Sequence, residues 1–128
     1  MYTKEQRELM LSNIGGRILC GVKFNVNGTI KVLDTIYGDK GLGFEGSSAF
    51  YGWESFEMIP YLRPLSDMTE AEQIEANKLG YAKGFVMDDT SWCKPALIRL
   101  MNKYNLDYSG LIDASIALTA PEGMYDNK

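Results

Sequence analysis

The sequence predicts an α+β domain: an N-terminal helix, an antiparallel roll or half-barrel of about four short strands, then two C-terminal helices. Three observations carry that prediction. Nine of the thirteen glycines lie between Gly15 and Gly52, which cuts the first half into short, sharply turned segments. Ile18, Cys20, Val22, Phe24 and Val26 alternate with Arg17, Leu19, Gly21, Lys23 and Asn25, the two-residue period of a half-buried strand. Leu97, Ile98, Met101 and Tyr104 recur instead at three- and four-residue spacing, the period of an amphipathic helix. With 128 residues, 45% hydrophobic and 23% charged, residues 1–128 are expected to form a single domain, with the helix and β-roll in 1–65 and the helical half in 66–128. An SH3-like roll is one solution. An open four-stranded sheet covered by helices is the other.

Each element follows from local chemistry. Thr3 and Gln6 have capping-box spacing, Leu9, Met10 and Ile14 form a short apolar stripe, and Gly15-Gly16 ends the first helix. A strand is expected from Arg17 to Val26, followed by an Asn27-Gly28 hairpin and a return strand over Thr29 to Tyr37. A two-residue turn would pair Phe24 with Lys31 and so place a charge on the apolar face. A three-residue loop pairs Val26 with Ile30, Phe24 with Val32 and Cys20 with Ile36, so the pattern favours an odd-length loop or an equivalent bulge. Gly38 to Gly46 is expected to be a glycine-rich connection. Two more strands follow, around Phe44 to Tyr51 and Ser55 to Leu62, with Pro60 and Pro64 stopping the last. Thr69 and Glu72 repeat the capping-box spacing and open a helix to about Leu79. Ser91 and Pro95 mark the opening of the last long helix, and Ala114, Ile116, Leu118 and Ala120 alternate as a final strand would.

Composition excludes several chemistries. There is no histidine, which removes the commonest general base and the commonest zinc ligand together. A net charge of −4 argues against nonspecific nucleic-acid binding, and Lys94, Arg99 and Lys103 do not form a basic stripe. Cys20 and Cys93 belong to no CxxC pattern and are expected to be free thiols, not metal ligands. MYTKEQRELM lacks the apolar run of a secretory signal, and no segment approaches the roughly 18 apolar residues of a membrane span, so the expected setting is cytoplasmic, with no membrane contact. Gly41-Leu42-Gly43-Phe44-Glu45-Gly46 matches GxGxxG by letter, yet no helix start or βαβ unit follows it, so flexible β-connection is the expected role. Asp88-Asp89, followed by Thr90 and Ser91, fits a polar loop leading into a helix cap. No cofactor, metal site or catalytic set is expected.

Seven of the fifteen aromatics fall between Tyr37 and Tyr61, and alternation sends Phe50 to one face and Tyr51 and Trp53 to the other. One face must be core; the other is either covered by the C-terminal helices or is an exposed aromatic interface. Tyr61 and Arg63, held extended between Pro60 and Pro64, serve either as a rigid joint or as a recognition segment. The candidate partner-binding residues are therefore Tyr51, Trp53, Tyr61 and Arg63.

The segments PYLRPLSDMTEAE (Pro60 to Glu72) and LDYSGLIDASIALTAPEGMY (Leu106 to Tyr125) resemble a family of small uncharacterised proteins from phages and mobile elements of gut bacteria. Members of that family often carry a histidine just before the Asp-Tyr pair and a basic residue just after it, where this chain has Tyr104-Asn105 and Ser109. The resemblance implies a phage-derived, intracellular origin and brings no activity. The expected function is a non-enzymatic interaction protein that binds a host or phage protein. The alternative is a small-ligand or nucleotide-binding protein, or an enzyme, that uses the glycine-rich loop 38–46 and Asp88/Asp89.

Overall fold

A computed structural model describes residues 2–38, 40–47, 49–79 and 95–125. The capping box at Thr3 forms: the Gln6 N–H donates to Thr3 Oγ1 at 3.1 Å and the Thr3 N–H to Gln6 Oε1 at 2.8 Å, opening helix α1 (Lys4–Ile14). The chain does not then extend. Gly15–Cys20 continues as a 3₁₀ helix, and the strand expected from Arg17 begins only at Lys23. Arg17 explains why. Its Nε donates to Asn13 Oδ1 at 3.1 Å, a contact across four residues that needs helical backbone, and its Nη2 donates to the Leu106 carbonyl at 2.6 Å. The side chain is fully buried, 5.3 Å from the centre of the Tyr108 ring, and Leu19 is left 99% exposed. Burial pulls the Arg17 guanidinium below its ordinary value, opposed by Tyr108 and Asp107.

The sheet contains β1 (Lys23–Val26), β2 (Thr29–Ile36), β3 (Gly41–Phe44), β4 (Tyr51–Gly52), β5 (Met58–Pro64), β6 (Leu106–Asp107) and β7 (Leu118–Thr119). Its order is β4-β3-β2-β1-β5-β6, with β7 also paired to β5. The β1–β2 turn has two residues, not three. Asn27 and Gly28 both take positive φ, 50° and 92°, which matches strand twist, and Phe24 faces Lys31. The charge is accommodated because Lys31 Nζ reaches to 5.6 Å from the centre of the Tyr51 ring. The register correction comes later, from an irregularity between Leu33 and Thr35. It sets Leu33 opposite Phe44 and Ile36 opposite Leu42, so both β2 residues share one face.

The expected glycine-rich connection is largely strand β3, whose four residues are all buried. The strand expected over 44–51 shrinks to β4. Strand β5 runs through Pro60, which faces Phe24 in the last pair with β1. Beyond that point β5 changes partners, pairing in parallel with β7 at Tyr61 and Leu62 and with β6 at Arg63 and Pro64. The sheet is therefore mixed, not antiparallel throughout, and the second half of the chain supplies strands as well as helices. Of the alternating run near the C-terminus only Leu118–Thr119 is strand. The Asp107 carboxylate accepts the Leu111 and Ile112 N–H groups at 2.9 Å each, which holds the preceding residues in turns.

Helix α2 (Glu70–Lys78) starts at its capping box, and helix α3 (Pro95–Lys103) buries Leu97, Leu100 and Met101. Ser91, expected at the start of that helix, lies outside the described residues, as do Cys93 and Asp88-Asp89. The main core joins Met10 and Ile14 to Phe24, Leu33, Phe44, Trp53, Met58 and Leu62. A second core joins Ala76 of α2 to Leu97, Leu100, Met101 and Leu106.

Arg63 sits where the two cores meet. Its Nη1 and Nη2 donate to Glu72 Oε2 and Oε1 at 2.8 Å each, Nη2 donates to the Asp67 carbonyl at 2.9 Å, and Nη1 to the Tyr104 carbonyl at 3.3 Å. Glu72 Oε1 also accepts the Thr69 N–H at 2.8 Å, so the capping carboxylate is the ion-pair partner too. Burial alone would raise the Glu72 carboxyl, but the Arg63 guanidinium and the Thr69 contacts hold it below its ordinary value of 4.5.

Arg63→Ala is expected to cost about 3–5 kcal/mol in urea unfolding, because it strands a buried carboxylate. A depressed folded-state pKa contributes stability that is complete above the ordinary carboxylate value and lost as pH falls through the folded value. Acidification below about pH 4 should therefore destabilise the wild type more than Glu72→Gln, measured by denaturant unfolding at neutral and acid pH. A Cβ at Gly41 would meet the Tyr51 carbonyl oxygen at 2.2 Å, so Gly41→Ala should cost about 1–3 kcal/mol. Gly15 has helical φ of −53° and open space around its Cβ position, so Gly15→Ala should raise the melting temperature, by up to about 1 kcal/mol in stability.

Candidate functional site

The aromatic segment is organised by the small residues beneath it. Atoms of the Phe50 ring lie 2.9 Å from the Cβ position of Gly41, and the Tyr37 ring lies 3.2 Å from that of Gly43. Side chains at either glycine would occupy the space these rings fill. Tyr37 and Phe50 therefore meet edge to face on β3, ring centres 5.3 Å apart, and remain 46% and 51% exposed. These are the first two glycines of the GxGxxG match. They lie in a strand and seat aromatic rings, and the third, Gly46, takes φ of 78° in the turn after the strand.

Tyr51 is half-buried between Phe44 and Phe56, at ring-centre distances of 5.2 and 4.8 Å. The Ser47 hydroxyl, 3.3 Å from its phenol, lowers the Tyr51 pKa, with Lys31 acting in the same direction. Trp53 is only 5% exposed. Its backbone N–H donates to the Lys40 carbonyl at 3.4 Å, its ring packs edge-on against Tyr2, and the Arg7 guanidinium lies 5.8 Å from the ring centre. The Tyr2 phenol in turn donates to the Ile116 carbonyl, and its pKa is raised by burial and by Glu57. Between these groups runs a groove of about 640 Å³, lined by Arg7, Lys40, Phe50, Trp53, Glu54 and Phe56, with Gly52 and Ser55.

Tyr61 and Arg63 lie elsewhere. The half-buried Tyr61 phenol accepts a hydrogen bond from Asn25 Nδ2 at 3.0 Å, and its carbonyl accepts the Tyr125 phenol at 2.6 Å. Tyr125 Oη also accepts the Lys23 N–H at 2.7 Å, and burial pushes its pKa up to about 12. Lys23 Nζ donates to the Met124 carbonyl at 2.7 Å, which fastens the C-terminal segment across β1 and β5. The segments Pro60 to Glu72 and Leu106 to Tyr125 thus meet, around a cavity of about 250 Å³ bounded by Arg63, Asp67, Thr69, Glu122 and Tyr125.

The four residues singled out from the sequence are not one exposed patch. Trp53 and Arg63 are buried, and Tyr51 and Tyr61 are half-buried and hydrogen-bonded. The exposed pair is Tyr37 with Phe50. Sequence alternation put Phe50 on the face opposite Tyr51 and Trp53; in the structure Phe50 precedes β4 and lines the same groove as Trp53, exposed where Trp53 is buried, and nothing local pairs Tyr37 with Phe50. Among the described residues no group of three cysteine or carboxylate side chains could hold a metal ion, and Cys20 is a free thiol. No described helix is long and apolar enough to cross a membrane. No protein-family model, curated protein or solved structure matches the chain.

Trp53→Ala should cost about 3–5 kcal/mol in denaturant unfolding, as expected for a core aromatic, whereas Phe50→Ala should cost less than about 1 kcal/mol. Equal losses for the two would mean that Phe50 is part of the core.

Proposed function

We propose that the protein is a non-enzymatic binding module that engages a protein partner through the groove beside β4, with Tyr37 and Phe50 as the contact residues. The observation that carries this reading is the exposed Phe50 ring, backed by the exposed Tyr37 ring, on a groove whose inner wall, Trp53, is already fixed by the core. Exposed aromatics on a rigid base are the usual anchors of protein interfaces, because they bury a large area while few rotamers are frozen. A phage-derived origin, with a host or phage protein as the partner, follows from the family resemblance alone and is part of the same proposal.

The test is affinity capture with the wild-type chain and with Tyr37→Ala/Phe50→Ala as paired baits. The partner should be recovered by the wild type and lost by the double variant, whose melting temperature should stay within a few degrees of the parent. Undiminished capture by a folded double variant would overturn the proposal.

A further inference from the structure

The charge of the groove differs from that of the whole chain. The protein carries seventeen acidic and thirteen basic residues, yet the groove is lined by two cations, Arg7 and Lys40, against one acid, Glu54. Neither cation forms an ion pair among the described residues. Arg7 has its guanidinium near the face of the Trp53 ring, an arrangement that holds the cation in place while its N–H edges remain able to meet a carboxylate. Lys40 is exposed, in the segment between β2 and β3, and its carbonyl is tied to the Trp53 N–H. Two cations that form no ion pair among the described residues, and the Phe50, Trp53 and Phe56 rings, therefore line one concave surface.

The backbone narrows the mode of binding. Strand β4 lies at the end of the sheet order, which would normally invite an added strand. Here the Gly52 carbonyl already accepts the Ser55 and Phe56 N–H groups, at 3.2 and 3.1 Å, so the edge turns back on itself after two residues. Recognition falls to side chains.

Building on the binding reading above, we propose that the occupant of this groove is an acidic peptide segment of the partner protein, whose carboxylates are held by Arg7 and Lys40 and whose apolar side chain packs against Phe50. Nucleic acid could also offer negative charge and stacking, but it would extend past two cations onto a surface of net charge −4, and its affinity depends on many phosphate contacts at once. A short acidic segment confines its charge to the groove. It gains both the ion pairs and the aromatic contact without meeting the acidic remainder of the surface.

The experiment uses the full chain and a fluorescein-labelled peptide in which glutamates flank a phenylalanine, followed by fluorescence anisotropy. Controls are the same peptide with glutamines and a single-stranded oligonucleotide of similar length. The glutamate peptide should bind about tenfold more tightly than the glutamine peptide, and weaken with added salt. Arg7→Gln should reduce its affinity by a similar factor. Lys40→Glu, at an exposed position, should do so without altering the melting temperature, which keeps the test valid if Arg7→Gln unsettles Trp53. Equal binding of the two peptides, tighter binding of the oligonucleotide, or unchanged affinity in a folded Lys40→Glu variant would overturn the acidic-segment proposal. Failure of this proposal is distinguishable from failure of the groove itself: a partner captured through Tyr37 and Phe50, but indifferent to salt and to Lys40→Glu, leaves the interface standing and removes only its charge preference.

Discussion

The Arg63–Glu72 pair is the constraint on which the arrangement of this fold turns. Strand β5 serves β1, β7 and β6 in succession along seven residues, and Arg63 lies near its end, where the sheet gives way to helices. Its guanidinium binds the first turn of α2 through Glu72 and the C-terminal end of α3 through the Tyr104 carbonyl, and its backbone N–H donates to the Asn105 carbonyl at 2.8 Å. One side chain thus fixes the second core relative to the first. A buried pair of this kind adds little net stability over an apolar replacement, since both ions must leave water. Its contribution here is positional: a planar, bidentate contact admits one orientation of α2, which hydrophobic packing alone would leave looser.

The same principle, that position is set by what a residue excludes, governs the other end of the sheet. Gly41 and Gly43 let two aromatic rings lie against β3 with no intervening side chain. Their value lies in the missing Cβ, since neither has the positive φ that only glycine accepts readily. The result is a pair of rings supported from below by backbone and open above to solvent. Phosphate-binding glycine loops use small residues to admit a ligand to the backbone. Here the backbone is already covered by the protein's own rings.

The parts of the fold legible in the sequence are those decided within a few residues. Both capping boxes, the Asn27-Gly28 turn and the amphipathic spacing of α3 involve partners three or four positions apart, so their chemistry is written locally. What could not be read depends on distant groups. Arg17 looks like the polar face of a strand until the Leu106 carbonyl and the Tyr108 ring are brought to it. The strand register reads as unfavourable at Lys31 until Tyr51 arrives to receive the ammonium group, and the compensating irregularity after Leu33 has no turn residue to announce it. Strands β6 and β7 are two residues each, too short for any period to register, and exist only because β5 offers them an edge. The candidate site divides in the same way. The density of aromatics near β4 was visible in the sequence, but which of them face water depends on where α1 lies, because Tyr2 and Arg7 are what cover Trp53.

That last dependence ties the groove to the whole domain. Trp53 is held on one side by Tyr2 and Arg7 from the N-terminal segment and α1, and Phe56 is held by Tyr51, itself packed on Phe44 of the core. A wall assembled this way loses little side-chain freedom on binding, so most of the entropy cost of ordering it has already been met during folding. Tyr37 and Phe50 are different, since they touch each other and lie over glycine positions, with about half of each surface in water. The groove therefore joins a rigid interior face to the exposed Phe50 ring, which Tyr37 backs, and to two cations with no ion pair among the described residues. Folding does not require Tyr37, Phe50 and Lys40 to be exposed, and the acidic character of the rest of the chain makes the local positive charge more distinct. Stability accounts for Trp53 and for the Arg7 side chain over it; it does not account for Phe50 and Lys40 being exposed on the same concave surface, with Tyr37 exposed against Phe50.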